Sequence, residues 1–415
     1  MKNIFRSGAR PWRRFDWRLF LTGLFISLFS FLVLAATNNP EHLKKQIVSF
    51  GIGLLVFFLA ILVDYRNFKR WAEILFGAAV FLLIVVLNMG HSAYGAQRWL
   101  NLSWFTFQPT ELMKLAMIFL LAKFLEQRQG KLDTILDILP GFVLVGLPFF
   151  LIYKQPDLGS AITLVVIFLA MSFWSGMRFS RLFMLTSPIL SMLVLYVLPF
   201  NPLISWGVYL LLIILLLWIA HFPFLDFCIY FALNFFSGLF SSFFWNSLSL
   251  YQRNRLISFI NPDVDPLARG LRYHTAKAVV AIGSGGFFGK GFMRGALTNL
   301  QYIPQQHTDF IFSVIGEEFG FLGAGLTALA LFYLLYRIYQ MAIHTNDAFG
   351  RYIVIGILAF IGFQVLVNIC MNIGLAPVVG LPLPFISYGG TSLVMCWLGL
   401  GLVQSVAIHR RNIEM

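Results

Sequence analysis

The feature that most constrains this chain is a series of apolar segments, each about 18 or more residues long, that recurs from one end of its 415 residues to the other. A helix of that length crosses a hydrocarbon core about 30 Å thick. Within lipid the backbone N–H and C=O groups must be satisfied inside the segment, so runs of this kind are helices. They lie at 17–36, 44–63, 71–89, 109–126, 137–154, 159–176, 181–199, 203–221, 224–246, 310–336, 350–373 and 391–408. The fold expected is all-α: a polytopic transmembrane helical bundle of about twelve spans. Charged residues make up only 11% of the chain against 59% hydrophobic, too few to cover a soluble surface at this length.

The formal net charge is +13, from 30 Lys and Arg against 17 Asp and Glu. In a soluble protein that balance would suggest nucleic acid; here much of it marks topology, and no nucleic-acid partner is expected. Basic residues gather at the N-terminus (Arg6, Arg10, Arg13, Arg14) and in alternate connections: Arg66/Lys69/Arg70, Lys123/Arg128/Lys131, Arg178/Arg181 and Arg410/Arg411. The positive-inside rule places these, and both termini, in the cytoplasm of a multi-pass protein of the cytoplasmic (inner) membrane. No small-residue cleavage site precedes soluble sequence, so the first apolar run reads as an uncleaved span. Cys228, Cys370 and Cys396 all sit in apolar runs without CxxC or Cys/His pairing and read as packing residues. No soluble domain is evident: the expectation is a single membrane domain, 1–415, whose outer loops at about 90–108 and 247–309 carry the site.

The outer segment 247–309 is itself basic, with Arg253, Arg255, Arg269, Arg272, Lys277, Lys290 and Arg294 against Asp263, Asp265 and Asp309. Long loops translocate despite charge, but the excess calls for a reason, and an anionic lipid headgroup or pyrophosphate supplies one. Two arginines in Tyr251-Gln252-Arg253-Asn254-Arg255 suit phosphate oxygens. Pro262 and Pro266 restrict the backbone around Asp265, so that its carboxylate is presented in a defined direction. A carboxylate that accepts a hydroxyl proton is what transfer to a sugar acceptor needs; a solvated Asp-Pro turn is the bland account.

Other motifs carry two readings each. Gly95-Ala96-Gln97-Arg98-Trp99 is a tight turn with either an interfacial anchor or a binding residue in Trp99. Gln108-Pro109-Thr110-Glu111-Leu112-Met113-Lys114 opens a helix, with Pro109 at its first position and Glu111 and Lys114 on one face, either as a cap with an ion pair or as a functional interior. Lys154-Gln155-Pro156-Asp157-Leu158-Gly159-Ser160 reads as an outer turn. Gly283-Ser284-Gly285-Gly286-Phe287-Phe288-Gly289-Lys290-Gly291 superficially resembles a phosphate loop, but Ser284 and Gly291 occupy positions that need Gly and Ser/Thr, which argues against nucleotide binding. In Gln306-His307-Thr308-Asp309-Phe310, capping by Thr308 or Asp309 competes with acid/base or ligand roles for His307 and Asp309. Pro382 to Ser392 is an irregular break, tolerated at membrane depth only against protein or a water-filled cavity.

Taken in order, AQRW, QPTELMK, KQPDLGSA, YQRNR, NPDVDP, AIGSGGFFGKG, QQHTDFIFSVIGEEFGFLG and PLPFISYGGTS resemble the SEDS family (shape, elongation, division, sporulation), from about residue 17 to 410. The resemblance implies a peptidoglycan glycosyltransferase that polymerises lipid II on the outer membrane face, working with a class B penicillin-binding protein. The KQPDLGSA run leans toward the elongation type and its elongation machinery. By matching position Asp265 corresponds to the essential outer-loop aspartate, and Trp99, Glu111 and Lys114 to functionally important residues. Asp265 would take the acceptor hydroxyl proton, while Arg253, Arg255 and a divalent cation (Mg or Mn) would stabilise the leaving pyrophosphate. Gln305, Ala268, Arg269 and Thr110 depart from the family pattern and touch the positioning of Asp265 rather than the aspartate itself. Relatives commonly have about ten spans, so an extra apolar pair lies between residues 178 and 250; two added helices keep Asp265 on the outer side. The alternative activity is a flippase for the same precursor, and a noncatalytic scaffold is a further rival.

Overall fold

The computed structural model describes residues 14–409, apart from 90, 94–95, 102–105, 133, 198–200, 249, 261–272, 301 and 304. Its helices are α1 (Trp17–Ala36), α2 (Pro40–Leu62), α3 (Asn67–Met89), α4 (Pro109–Gln127), α5 (Ile135–Lys154), α6 (Leu158–Trp174), α7 (Phe179–Val197), α8 (Pro202–Ile219), α9 (Phe224–Leu239), α10 (Ser241–Ser247), α11 (Leu250–Ile260), α12 (Tyr273–Ser284), α13 (Ala296–Asn299), α14 (Ile311–Ile343), α15 (Ala348–Asn372) and α16 (Gly390–His409). Each of the twelve apolar runs falls on a helix or, at 224–246, on the bent pair α9 and α10. Eight helices are long and apolar enough to cross a membrane, or nine with the bent pair; α6 and α7 are shorter apolar helices. Helix α4 misses that test because Glu111, Lys114, Lys123 and Glu126 lie along it, yet it is buried on nearly every side. A helix buried all round belongs in the interior of a bundle, where its charges need partners.

Two stretches read as loops hold structure. Between α3 and α4 run β1 (His91–Ala93), β2 (Ala96–Asn101) and β3 (Thr106–Phe107), an antiparallel sheet in the order β1-β2-β3. The segment 247–309 contains α11, α12 and α13. The cysteines are free: Cys396 is buried as expected, but Cys228 is exposed on α9.

The chain divides into two compact units, one of residues 1–127, 143–171 and 273–415, the other of 128–142 and 172–272. In the first, contacts sort the helix ends into two sets. One end is ionic: Arg337 of α14 bonds Asp16 before α1, Lys123 of α4 bonds Glu73 of α3, Lys69 lies 2.8 Å from Glu126, Tyr65 donates to Asp347 at 3.0 Å and Arg66 to the His409 carbonyl at 3.2 Å. The start of α1 and the end of α16 therefore share one end of this unit, with the basic connections. The opposite end collects the motifs.

In the second unit, α7, α8 and α9 are joined by a polar seam. Asn234 donates to Ser187 Oγ at 2.8 Å, Tyr209 donates to Asn234 Oδ1 at 2.9 Å, and Trp206 donates to Ser191 Oγ at 3.0 Å. Such bonds hold apolar helices together where hydrophobicity cannot, since lipid is as apolar as leucine. Asp226 of α9 accepts the Ile135 N–H at 3.3 Å and so caps α5 from another helix.

The glycine-rich loop has a structural explanation. Helix α14 is broken at Gly320 (φ 67°, ψ −164°), a conformation open almost only to glycine. The amides thrown out of register are taken up by the loop: Phe321 and Leu322 N–H donate to the Gly286 and Phe287 carbonyls, and Lys290 and Gly291 N–H to those of Glu317 and Glu318. The backbones approach so closely that a methyl carbon at Gly285 would lie 2.0 Å from the Gly316 carbonyl oxygen, and one at Gly289 2.1 Å from that of Glu318. The glycines serve backbone docking. Gly320→Ala is expected to cost about 2 kcal/mol or more and lower the melting temperature in detergent. Gly77→Ala, with nothing within 4 Å of the added carbon, should leave it unchanged.

Candidate active site

Pro109 opens α4 as its missing N–H allows, and the N–H of Gln108 before it donates to Thr391 Oγ at 3.1 Å. That same hydroxyl donates to the Thr106 carbonyl at 2.8 Å, so the start of α16 clasps the end of β3 to the start of α4. Asp157, in the KQPD turn, is buried and joins more than a turn would. Its carboxylate accepts the Ser160 N–H at 3.2 Å, capping α6, and the Gln108 side-chain amide at 3.3 Å. Arg98 of β2 lies 3.8 Å from it and donates to the carbonyls of Gln155, at 3.1 Å, and Pro156. Asp157 therefore links the strand carrying Trp99, which is half-buried, to the helix carrying Glu111.

Glu111 and Lys114 follow within one turn. Lys114 is 0% exposed and its Nζ lies 2.5 Å from Glu111 Oε1, with the Phe360 ring of α15 4.6 Å away. The ion pair of the sequence reading is present, and it lies in the interior of the bundle rather than at an exposed cap. Removing one partner of such a pair costs about 3–5 kcal/mol, because the other charge is left buried alone. The second carboxylate oxygen, Oε2, has no hydrogen-bond partner among the described residues.

The Pro382–Ser392 break is buried and satisfied by side chains. Asn368 donates to the Leu381 carbonyl at 2.8 Å, Gln46 to that of Ser387 at 3.1 Å, and Ser387 Oγ to that of Thr308 at 2.6 Å while accepting the Leu383 N–H. Capping of α14 differs from expectation. Its N-cap is Phe310, without a side-chain bond, and Asn372 of α15 supplies the acceptor, for the Ser313 N–H at 3.2 Å. His307 instead lies against His42 of α2, ring centroids 4.2 Å apart and tilted by 32°, and His42 stacks on Tyr388 at 4.4 Å. Burial, then the neighbouring His42, pushes the His307 imidazole down to about 4.

Arg253, on α11 in the other unit, donates to the carbonyls of Asn246, at 2.6 Å, and Leu248, at 3.2 Å. Arg255 lies on the same helix. Asp265 lies outside the described residues. For the expected divalent cation, no group of three or more His, Cys, Asp or Glu that would hold a metal ion is found among the described residues. Sequence reading missed Asp157, Gln108, Thr391 and His42 as site-building groups. Asn368 and Asn372 carried a visible signal, two amides four residues apart in an apolar run.

Two outcomes follow from this geometry. Asp157→Ala leaves the α6 cap and the Gln108 amide without their acceptor, removes the charge facing Arg98, and is expected to lower stability by about 1–3 kcal/mol, read as a melting-temperature drop. Because the folded His307 titrates near 4 rather than 6.5, the unfolded chain binds more protons between those values. Its contribution to stability is therefore complete above about pH 6.5 and declines as pH falls toward 4. The fall in melting temperature over that window should be shallower in His307→Gln.

The comparisons with known proteins cover the whole arrangement. The sequence model of the cell cycle proteins FtsW, RodA and SpoVE matches residues 15–201 and 200–412. The chain is 32% identical to the peptidoglycan glycosyltransferase RodA of Treponema pallidum over 94% of its length and 97% of that protein's. It is also 32% identical to the stage V sporulation protein E of Bacillus subtilis, covering 89% of this chain and 87% of that one. Among solved structures, a chain from work on the structural coordination of polymerization and crosslinking by a peptidoglycan synthase complex is similar at TM-score 0.71 and 29% identity, over 95% of this chain and 98% of that one. With this match along nearly its full length and its long apolar helices, the chain is a multi-pass membrane protein that belongs to the SEDS family of FtsW, RodA and SpoVE.

Proposed function

We propose that this chain is a peptidoglycan glycosyltransferase that polymerises lipid II into glycan strands on the outer face of the cytoplasmic membrane during cell elongation, with both termini cytoplasmic. The observation that carries the reading is the gathering of Trp99, Glu111 and Lys114, through Asp157, at the motif end of one compact unit, in a chain that aligns along nearly its whole length with relatives named for this activity. The neighbour from a synthase complex that couples polymerization to crosslinking supports a class B penicillin-binding protein as partner.

In this reaction the acceptor sugar 4-hydroxyl attacks the donor anomeric carbon. The new C–O bond forms as the bond to pyrophosphate breaks, inverting that carbon. The hydroxyl proton passes to the Asp265 carboxylate, and undecaprenyl pyrophosphate leaves with the bonding pair. Cationic side chains offset the charge that develops on the pyrophosphate; Arg253 and Arg255 are assigned that role on their charge and position in the outer segment. Trp99, Glu111 and Lys114 bind and orient the lipid-linked sugars. A divalent cation bound at the pyrophosphate would add to the same charge neutralisation.

The test is polymerisation of lipid II by the purified chain with its penicillin-binding protein. Wild type should give a glycan ladder, and Asp265→Asn, which keeps shape but removes the base, should lose at least about 100-fold in rate. The broken α14 and the buried charge pair are features that a flippase would also use. Translocation of labelled lipid II without polymer would replace the polymerase reading with that one.

A further inference from the structure

Glu111 Oε2 is not the only open polar atom at its level. Gln364 of α15 is 0% exposed, and neither its amide nitrogen nor its amide oxygen has a hydrogen-bond partner among the described residues. Thr110 Oγ is buried in the same condition. Two contacts fix how α15 and α4 run past each other. A methyl carbon at Gly356 would lie 2.7 Å from Ile118, and the Phe360 ring lies 4.6 Å from Lys114 Nζ. Four residues forward on α15 thus match four residues back on α4, the pairing of antiparallel helices whose facing rows repeat every turn. Continued one step further, that register sets Gln364 opposite the turn that holds Thr110 and Glu111.

Three polar side chains, one with two amide donors and one with an open carboxylate oxygen, are chemically complementary. A buried glutamine with no partner would be costly in hydrocarbon, and a polar site within the bundle relieves that cost. We infer that Thr110, Glu111 and Gln364 enclose a buried hydration site, and that water held there carries a hydrogen bond from the Gln364 amide to Glu111 Oε2. Gln364 is thereby a positioning residue: it holds the carboxylate that anchors Lys114. The consequence for catalysis rests on the polymerase reading; the consequence for stability does not.

The experiment compares Gln364→Met, which keeps length and removes polarity, with Gln364→Asn, which keeps the amide on a shorter arm. In lipid II polymerisation Gln364→Met should lower kcat about tenfold or more while KM stays within about twofold. Gln364→Asn should recover most of the loss, since a bridging water takes up the missing methylene. Independently, melting temperatures of Gln364→Met, Glu111→Gln and the double variant form a cycle. The hydration site predicts that Gln364→Met costs less in the Glu111→Gln background; Thr110→Val replaces Glu111→Gln if that variant does not fold. An orphan glutamine with no such role predicts that methionine is neutral or stabilising by the same amount in both backgrounds. Additive shifts overturn the proposal whatever the activity shows. If wild type makes no polymer, the polymerase reading falls and the melting cycle alone decides this one.

Discussion

A polar group placed in hydrocarbon without a partner costs several kcal/mol, and this constraint orders the protein. It has its sharpest expression in the buried Glu111–Lys114 pair. An interior helix can carry two buried charges near its start only if they meet, and Glu111 and Lys114 meet at 2.5 Å close to where Pro109 starts α4. The helices that enclose the pair are bound by the same demand. Asn368, Asn372 and Gln46 reach across to irregular backbone, donating to the carbonyls of Asp309, Leu381 and Ser387 on either side of and within the Pro382 to Ser392 break. The break at Gly320 is answered by a glycine loop close enough to take its amides.

Electrostatics then separate the two ends of the first unit. At one, the partly exposed pairs Lys69–Glu126 and Lys123–Glu73 join helix ends, and pairs of that kind contribute little each, while the Arg337–Asp16 pair is more sheltered. At the other, charged and polar groups are buried and shared among several elements, as Asp157 is among α6, β2 and the start of α4. Rigid placement of this kind suits a site that must hold a lipid-linked sugar in register with a second one.

Much of this was legible in the chain. Apolar runs located the helices because lipid enforces both length and composition. The spacing of Glu111 and Lys114 showed a shared face, and the ordered motifs carried the family. What remained hidden has particular causes. Strands of two to six residues between α3 and α4 are too short for an alternating pattern to stand out, and α11 has too little apolar character to register as a span. The break in α14 falls inside an apolar run that continues through Gly320, so periodicity gives no warning. Asp157 looked like a turn residue because its partners Arg98 and Gln108 are 59 and 49 positions away, a relation only the fold creates. The packing of His42 against His307 and Tyr388 is non-local in the same way.

The central claim is that the lipid-linked sugars are bound at the motif end of the first unit. It is tested most directly by photo-crosslinking, using lipid II with a diazirine on its disaccharide and mapping the modified peptides by mass spectrometry. The account predicts adducts within residues 96–111, competed by unlabelled lipid II. Competed adducts confined to other parts of the chain, such as α8, with none in that segment, would contradict it.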